Sequence, residues 1–222
     1  MRRILVSAFI SLDGVMQAPG APEEDRSGGF AHGGWTFPLS DEAVGAAIGA
    51  LFDRPFDLLL GRRTYEIFAS YWPFMTHTPF GALFQNVTKY VATRADSLAI
   101  PWENSVRIEG EAAEAIARLK RQDGPDLIVQ GSANLNQTLL ANGLIDELTL
   151  LTYPVLLGAG KRLFAEGTRP VTLALVESTT SPSGVTISRY RPAGPVETGS
   201  FGELPELNEY ERERRARFAA ES

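Results

Sequence analysis

Asp57-Leu58-Leu59-Leu60-Gly61-Arg62-Arg63-Thr64-Tyr65-Glu66 and Asp126-Leu127-Ile128-Val129-Gln130-Gly131-Ser132-Ala133-Asn134-Leu135 share one layout, an apolar strand running through a glycine into a helix. Such a junction sets unpaired backbone N–H groups and the positive end of a helix dipole at the carboxyl end of a strand, where phosphates bind well. Two junctions in one small domain predict a ligand with more than one anionic group. Arg62 and Arg63 sharpen the expectation, because cations in the first turn of a helix oppose its macrodipole unless an anion lies beside them. The alternative is that both arginines splay into solvent.

Outward from these segments, Ile4 to Ile10 is apolar on both faces, as a central strand covered on each side should be. Buried runs recur at Leu58 to Leu60, Tyr90 to Ala92 and Leu127 to Val129. Helical patterns alternate with them. Val44, Ala47, Ile48, Leu51 and Phe52 share a face after Ser40, read as an N-cap, and Ala112 to Arg121 and Ser132 to Leu140 follow suit. Alternation of this kind predicts an α/β sheet, largely parallel in its first part. Beyond Gly143 the strand-like runs Glu147 to Tyr153, Val171 to Ser178 and Val185 to Tyr190 predict a closing hairpin turning at Ser181-Pro182-Ser183-Gly184. Pro192 to Gly202 resembles a linker, and Glu206 to Ala220 a charged helix with a thin Leu207, Tyr210, Phe218 stripe. Residues 1–191 therefore read as one domain, and 192–222 as linker and tail.

With 222 residues, 44% of them hydrophobic and 22% charged, the chain can bury a substantial core. Its net charge of −6 argues against a general nucleic-acid surface, so an anionic ligand must be held by local positive features. The absence of cysteine excludes a thiol nucleophile and a thiolate metal site. His32 and His77 stand in loops without ligand-spaced partners, so no metal is expected. No apolar stretch approaches a membrane span, and a cytoplasmic location is the default.

Gly158-Ala159-Gly160-Lys161-Arg162 superficially suggests a nucleotide loop but fits neither common pattern: Leu163 stands where a dinucleotide fingerprint needs glycine, and Val155 where a phosphate-cradling ATPase loop does. A glycine-rich turn explains it as well. Gly14 to Pro38 is rich in glycine and proline yet carries Phe30, Trp35 and Phe37, which fits a lid whose aromatic rings either stack on a flat heterocycle or plug the core. Asp13, Asp41 and Glu42 are the carboxylates near these features, although Asp13-Gly14 also suits a turn and Asp41 the first turn of a helix.

These residues together resemble the dihydrofolate reductase-like superfamily, and within it the reductase domain of the bacterial riboflavin-biosynthesis deaminase-reductase. The resemblance rests on Ser11-Leu12-Asp13-Gly14, Gly33-Gly34-Trp35-Thr36, Leu60 to Tyr65, Gln130 to Leu135, Asp146-Glu147-Leu148 and Pro154 to Phe164. It implies a three-layer fold with a mostly parallel eight-stranded sheet and a C-terminal antiparallel hairpin. It also implies an NADPH-dependent reductase of a pyrimidine- or pterin-like heterocycle, akin to 5-amino-6-(5-phosphoribosylamino)uracil reductase.

On this resemblance Gly61, Arg62, Arg63 and Thr64 hold cofactor phosphate, and Thr93 with Arg94 flank the adenosine 2′-phosphate. Gly131, Ser132, Ala133, Asn134 and Leu135 line the end nearer the nicotinamide, which Val6 and Ala8 face. Asp13, Trp35, Tyr65 and Tyr153 surround the substrate, and Asp13 or Asp41 delivers the proton unless an ordered water does. The chain departs from dihydrofolate reductases in its first helix, which offers Gly45 near the place of the pterin-binding acid. A non-catalytic nucleotide-binding or regulatory protein, a reductase of another small heterocycle, and a structural dimerisation domain are the alternatives. A homodimer is expected from the apolar hairpin and tail.

Overall fold

The apolar run at the amino terminus becomes β1 (Ile4–Ser11), and side chains alternate between two covered faces as strand geometry requires. Ile4, Val6, Ala8 and Ile10 join one core, while Phe9 packs into another on the opposite face. The remaining strands are β2 (Phe56–Gly61), β3 (Lys89–Ala92), β4 (Ser105–Ile108), β5 (Asp126–Val129), β6 (Glu147–Tyr153), β7 (Leu173–Thr180) and β8 (Thr186–Pro192). They form one eight-stranded sheet in the order β4-β3-β2-β5-β1-β6-β8-β7. The computed structural model describes residues 1–95, 97–166, 168–200, 202 and 207–221.

Every pairing from β4 to β6 is parallel, and β8 returns antiparallel between β6 and β7. The helices are α1 (Glu42–Ala50), α2 (Arg62–Ala69), α3 (Pro79–Asn86), α4 (Ala112–Lys120), α5 (Ala133–Ala141) and α6 (Glu209–Ala220). On one face Ile116, Leu119, Leu135 and Leu139 of α4 and α5 pack against Leu59, Leu127 and Val129. On the other, Tyr65 of α2 and Phe84 of α3 pack against Leu58, Leu60 and Ile128. This is the α/β sheet that the alternating pattern predicts, in the three layers that the resemblance implies. Leu58, Leu59 and Leu60 are all fully buried, each burial stabilising by about 1.5–3 kcal/mol.

Two elements differ from the sequence reading. Asp41, not Ser40, caps α1: its carboxylate accepts the Val44 N–H at 2.9 Å. Strand β6 ends at Tyr153, as the sequence reading has it, and Pro154 to Gly160 forms a loop. The charged helix starts at Glu209, with Asn208 as its cap; Glu206 lies outside the described residues. No residue of that helix is buried, and the Leu207, Tyr210, Phe218 stripe is exposed. No helix among the described residues is long and apolar enough to cross a membrane.

Candidate functional site

Because β2 and β5 are parallel neighbours, the two strand-glycine-helix junctions emerge side by side at their carboxyl ends, in the crevice where α/β sheets bind ligands. The junctions touch. Gly61 N–H donates to the Gly131 carbonyl at 3.0 Å. A Cβ at Gly131, where φ is +141°, would lie 2.5 Å from Thr64 Oγ1, and one at Gly61 would lie 2.9 Å from the Ser132 nitrogen. Only two glycines allow this crossing. The two junctions, expected at opposite ends of one extended cleft, are in contact where they leave the sheet. Ser132 itself has φ −83°, a conformation open to any side chain, which is why it stands beside Gly131.

A polar cleft of about 750 Å³ opens on one side of the crossing. Gly61, Arg62, Arg63, Thr93, Arg94 and the Ser132 to Leu135 segment line it, so most of the residues assigned to a phosphate-bearing cofactor share one space. Arg62 and Arg63 open α2, as the sequence reading has it. Their conflict with the helix dipole is partly relieved within the chain, since Arg62 meets Glu66 at 3.3 Å and Arg63 meets Asp25 at 3.4 Å. The Arg62–Glu66 pair is half-exposed on both sides, contributes little and leaves Arg62 open to a stronger anion, whereas the largely buried Asp25 engages Arg63 at the border of the cavity.

On the other side lies an apolar cavity of about 750 Å³. Ile48 of α1, Phe68 of α2, Phe80 and Phe84 of α3 and Trp72 between those helices form its wall, with Thr64 at the crossing. The rings brace one another: Phe68 and Phe84 stack at 6.1 Å, and Trp72 meets Phe84 edge-on at 4.9 Å. Lys89, wholly buried, caps the end of α3 by donating to the Phe84 and Gln85 carbonyls at 3.0 and 3.2 Å. Desolvation depresses its pKa to about 8. Arg63, Ser132, Ala133 and Lys161 border both spaces, so cleft and cavity meet at the glycine crossing.

The glycine- and proline-rich segment supplies the rim of the cavity through Ala18 to Ala21 and Glu23 to Asp25. Lys161 ties it down, pairing with Asp25 and donating to Ser27 Oγ at 2.7 Å. Burial works against ionisation of Asp25, but Lys161 and the Ser27 hydroxyl outweigh it and hold the carboxyl below its ordinary value. Glu24 goes the other way: burial raises its pKa, although Oε2 accepts the Gly20 and Ala21 N–H groups at 2.6 and 3.1 Å. Glu24, Phe80, Phe84 and Trp72 are site residues that the sequence reading missed.

Several assigned residues have other work. Val6 and Ala8 are sealed in the core beneath α4 and α5 and border neither space; Phe9, of opposite parity, reaches the cavity instead. Trp35 and Tyr153 pack edge-on at 5.3 Å, and the Trp35 indole donates to the Gln17 carbonyl at 2.8 Å. Tyr65 is buried, its hydroxyl accepting the Trp102 N–H at 3.2 Å. These three plug the core, and Phe30 does likewise while Phe37 is exposed. Gly160 packs against Val15 and Phe30, so the 158–160 glycines form a structural turn.

The two proposed proton donors are both engaged in structural contacts. Asp13 clamps loops together, accepting the Ser11 hydroxyl at 2.6 Å and the Leu157 and Gly158 N–H groups at 3.1 and 2.9 Å. The Ser11 hydroxyl, then the Leu157 N–H, hold its pKa down at about 2. Asp41 is likewise held at about 2, chiefly by the Val44 N–H and with the Ser183 N–H adding to it. Both are ionised at neutral pH and neither borders the cavity. A lowered carboxyl pKa gives stability that is complete above the unfolded value near 4 and lost as pH falls through about 2. Asp13→Asn is therefore expected to lower unfolding free energy by about 1–3 kcal/mol at pH 7, with the difference shrinking toward pH 2. Urea denaturation at both pH values checks this; unchanged stability with lost turnover would return Asp13 to the chemistry.

His32 and His77 are exposed, and among the described residues no group of three His, Cys, Asp or Glu side chains is placed to hold a metal ion. In sequence the chain is 30% identical over 132 residues to the uncharacterized protein YyaP of Bacillus subtilis (strain 168), covering 58% of this chain and 69% of that one. In structure it resembles a protein named for riboflavin biosynthesis from Shewanella sp. PV-4, with TM-score 0.67, 22% identity and coverage of 86% and 99% of the two chains. Dihydrofolate reductase from Enterococcus faecalis, complexed with NADP(H), superposes with TM-score 0.53 and 13% identity over 86% of this chain and 96% of that one. These likenesses fix the fold as dihydrofolate reductase-like. The model of the RibD C-terminal domain, a reductase domain, matches residues 2–187, and the chain belongs to that family.

Proposed function

We propose that this protein is an NADPH-dependent reductase of a pyrimidine- or pterin-like heterocycle. The observation that carries the reading is the meeting of a cation-lined polar cleft with an aromatic cavity at the Gly61–Gly131 crossing. A dinucleotide whose phosphates lie in the cleft would reach the cavity at that crossing, where a flat ring held by the aromatic wall would meet it. The crossing also supports the fit of the cofactor, because the bare glycine backbone leaves the close approach that a pyrophosphate needs. Arg62, Arg63, Thr93 and Arg94 would hold the phosphates, and Ser132 to Leu135 would line the path toward the cavity.

Bound NADPH supplies the hydride; the chain orients the rings and excludes water with its phenylalanine wall. Purified protein titrated with NADPH should gain thermal stability and change its tryptophan fluorescence, and should then oxidise the cofactor with a member of a pyrimidine and pterin panel. No response at millimolar NADPH would overturn the reading. A non-catalytic nucleotide-binding role is favoured by one observation, the commitment of Asp13 and Asp41 to structural contacts. Cofactor binding without turnover on any acceptor would select it.

A further inference from the structure

Thr93 and Arg94 reach the polar cleft from a connecting segment, because β3 ends at Ala92. That segment has little of its own to fix it. The Ala95 N–H donates to Thr93 Oγ1 at 3.0 Å, and the Leu98 N–H to the Ala95 carbonyl at 3.1 Å. Two local bonds shape a bend but do not set its direction against the sheet. Arg107 supplies that anchor from outside the segment: Nη1 donates to the Ala95 carbonyl at 2.8 Å and Nη2 to the Leu98 carbonyl. One planar guanidinium thus grips the bend at two points. Arg107 stands on the edge strand β4 in register with Val91, and paired residues share a face of the sheet. Val91 belongs to the core beneath α2 and α3, on which Leu98, Ile100 and Trp102 of the same connection pack. Arg107 is itself half-buried and does not line the cleft, and among the described residues its guanidinium meets these two carbonyls and no carboxylate.

We propose that Arg107 is a positioning residue for cofactor specificity: it touches no ligand, but holds the Thr93–Arg94 bend where both side chains meet the 2′-phosphate that distinguishes NADPH from NADH. Arg94 is exposed and lies between Thr93 and Ala95, so any drift of the bend carries its backbone, and with it the reach of its guanidinium, away from the phosphate. The effect is confined to one end of the cofactor. Gly61 and the Ser132 to Leu135 segment stand on β2 and at the start of α5, which Arg107 does not touch, so the pyrophosphate common to both cofactors keeps its seat. This role rests on the reductase reading for its cofactor, and adds to it a specificity-determining residue that lies outside the cleft.

Calorimetric titration of the full chain with NADPH and with NADH tests it, in wild type, Arg107→Met, Arg94→Ala and the double variant. Arg107→Met should weaken NADPH about tenfold or more and leave NADH within about twofold of wild type. Because the role passes through the bend, the same substitution should cost NADPH only about threefold or less when Arg94 is already alanine. A residue that acted on the phosphate by its own charge would keep its full effect in that background. Should the methionine chain fail to fold, Arg107→Gln, which keeps two amide donors on a shorter arm, carries the same test with the same expected direction. Equal losses for the two cofactors, an unaltered NADPH affinity, or an undiminished loss in the Arg94→Ala background would each overturn the proposal. The wild-type titrations isolate the underlying reading. If wild type binds neither cofactor, the reductase assignment itself falls; if wild type prefers NADPH and Arg107→Met keeps that preference, only the role of Arg107 does.

Discussion

A Gly131→Ala chain is expected to lose about 2–4 kcal/mol of unfolding free energy and to bind NADPH at least about a hundredfold more weakly. Two costs combine. The backbone at Gly131 has φ +141°, a conformation that L side chains rarely adopt. The new Cβ would also lie 2.5 Å from Thr64 Oγ1, at the first turn of α2, so the Thr64 side chain must turn away or the two junctions must part. Parting them breaks the Gly61 N–H to Gly131 carbonyl bond and reshapes the cleft floor. Gly45→Ala and Gly49→Ala in α1 are the matched controls, since a Cβ at either meets nothing within 4 Å. They should stabilise by about 0.5–1 kcal/mol. Urea denaturation at constant m gives the stability difference and calorimetry the affinity. If Gly131→Ala folds and binds as wild type does, the crossing does not shape the cofactor site.

That crossing was half legible in the sequence. Each junction is local, a strand, a glycine and a helix within ten residues, and so each could be read from residue order. Their contact depends on β5 inserting between β2 and β1, a long-range pairing that no local pattern encodes. The central strands were legible for the same local reason: Leu58 to Leu60 and Ile4 to Ile10 are apolar on both faces, and the structure buries both faces. Strand β4 was not, because four residues at the sheet edge, half of them charged or polar, carry too little period to stand out. Nor was α3, a short helix whose Phe80 and Phe84 help to build the cavity. The cavity wall gathers side chains from α1, α2 and α3, so its aromatic character is a property of packing. Trp35, Tyr65 and Tyr153 illustrate the converse error. Aromatic residues beside recognisable motifs suggested ligand contacts, yet burial and internal partners for Trp35 Nε1 and Tyr65 Oη make them core. The Asp25–Lys161 pair, which ties the rim across 136 residues, lay beyond any spacing argument.

Replacing both Arg62 and Arg94 with alanine should weaken NADPH by about a hundredfold while changing NADH affinity by about threefold or less. The two cofactors differ only in the 2′-phosphate, so the ratio isolates the groups that meet it. Arg62 is half exposed at the start of α2, where the helix N–H groups already favour an anion, and Arg94 is exposed just beyond β3 on the wall of the same cleft. A charge-assisted contact to phosphate is worth about 1.5–3 kcal/mol, so two partly solvated ones lie near the low end of twice that range, which the hundredfold figure reflects. The Arg62–Glu66 pair does not offset this, because an exposed i,i+4 pair contributes only about 0.3–0.5 kcal/mol. Screening gives an independent check: raising salt should erode the wild-type preference for NADPH and leave the double variant nearly indifferent. Arg63 and Lys161 are the contrast, for Asp25 already occupies both at the border with the apolar cavity. Equal losses for NADPH and NADH in the double variant would show that Arg62 and Arg94 act on the pyrophosphate shared by both cofactors, leaving the 2′-phosphate to other groups in the cleft.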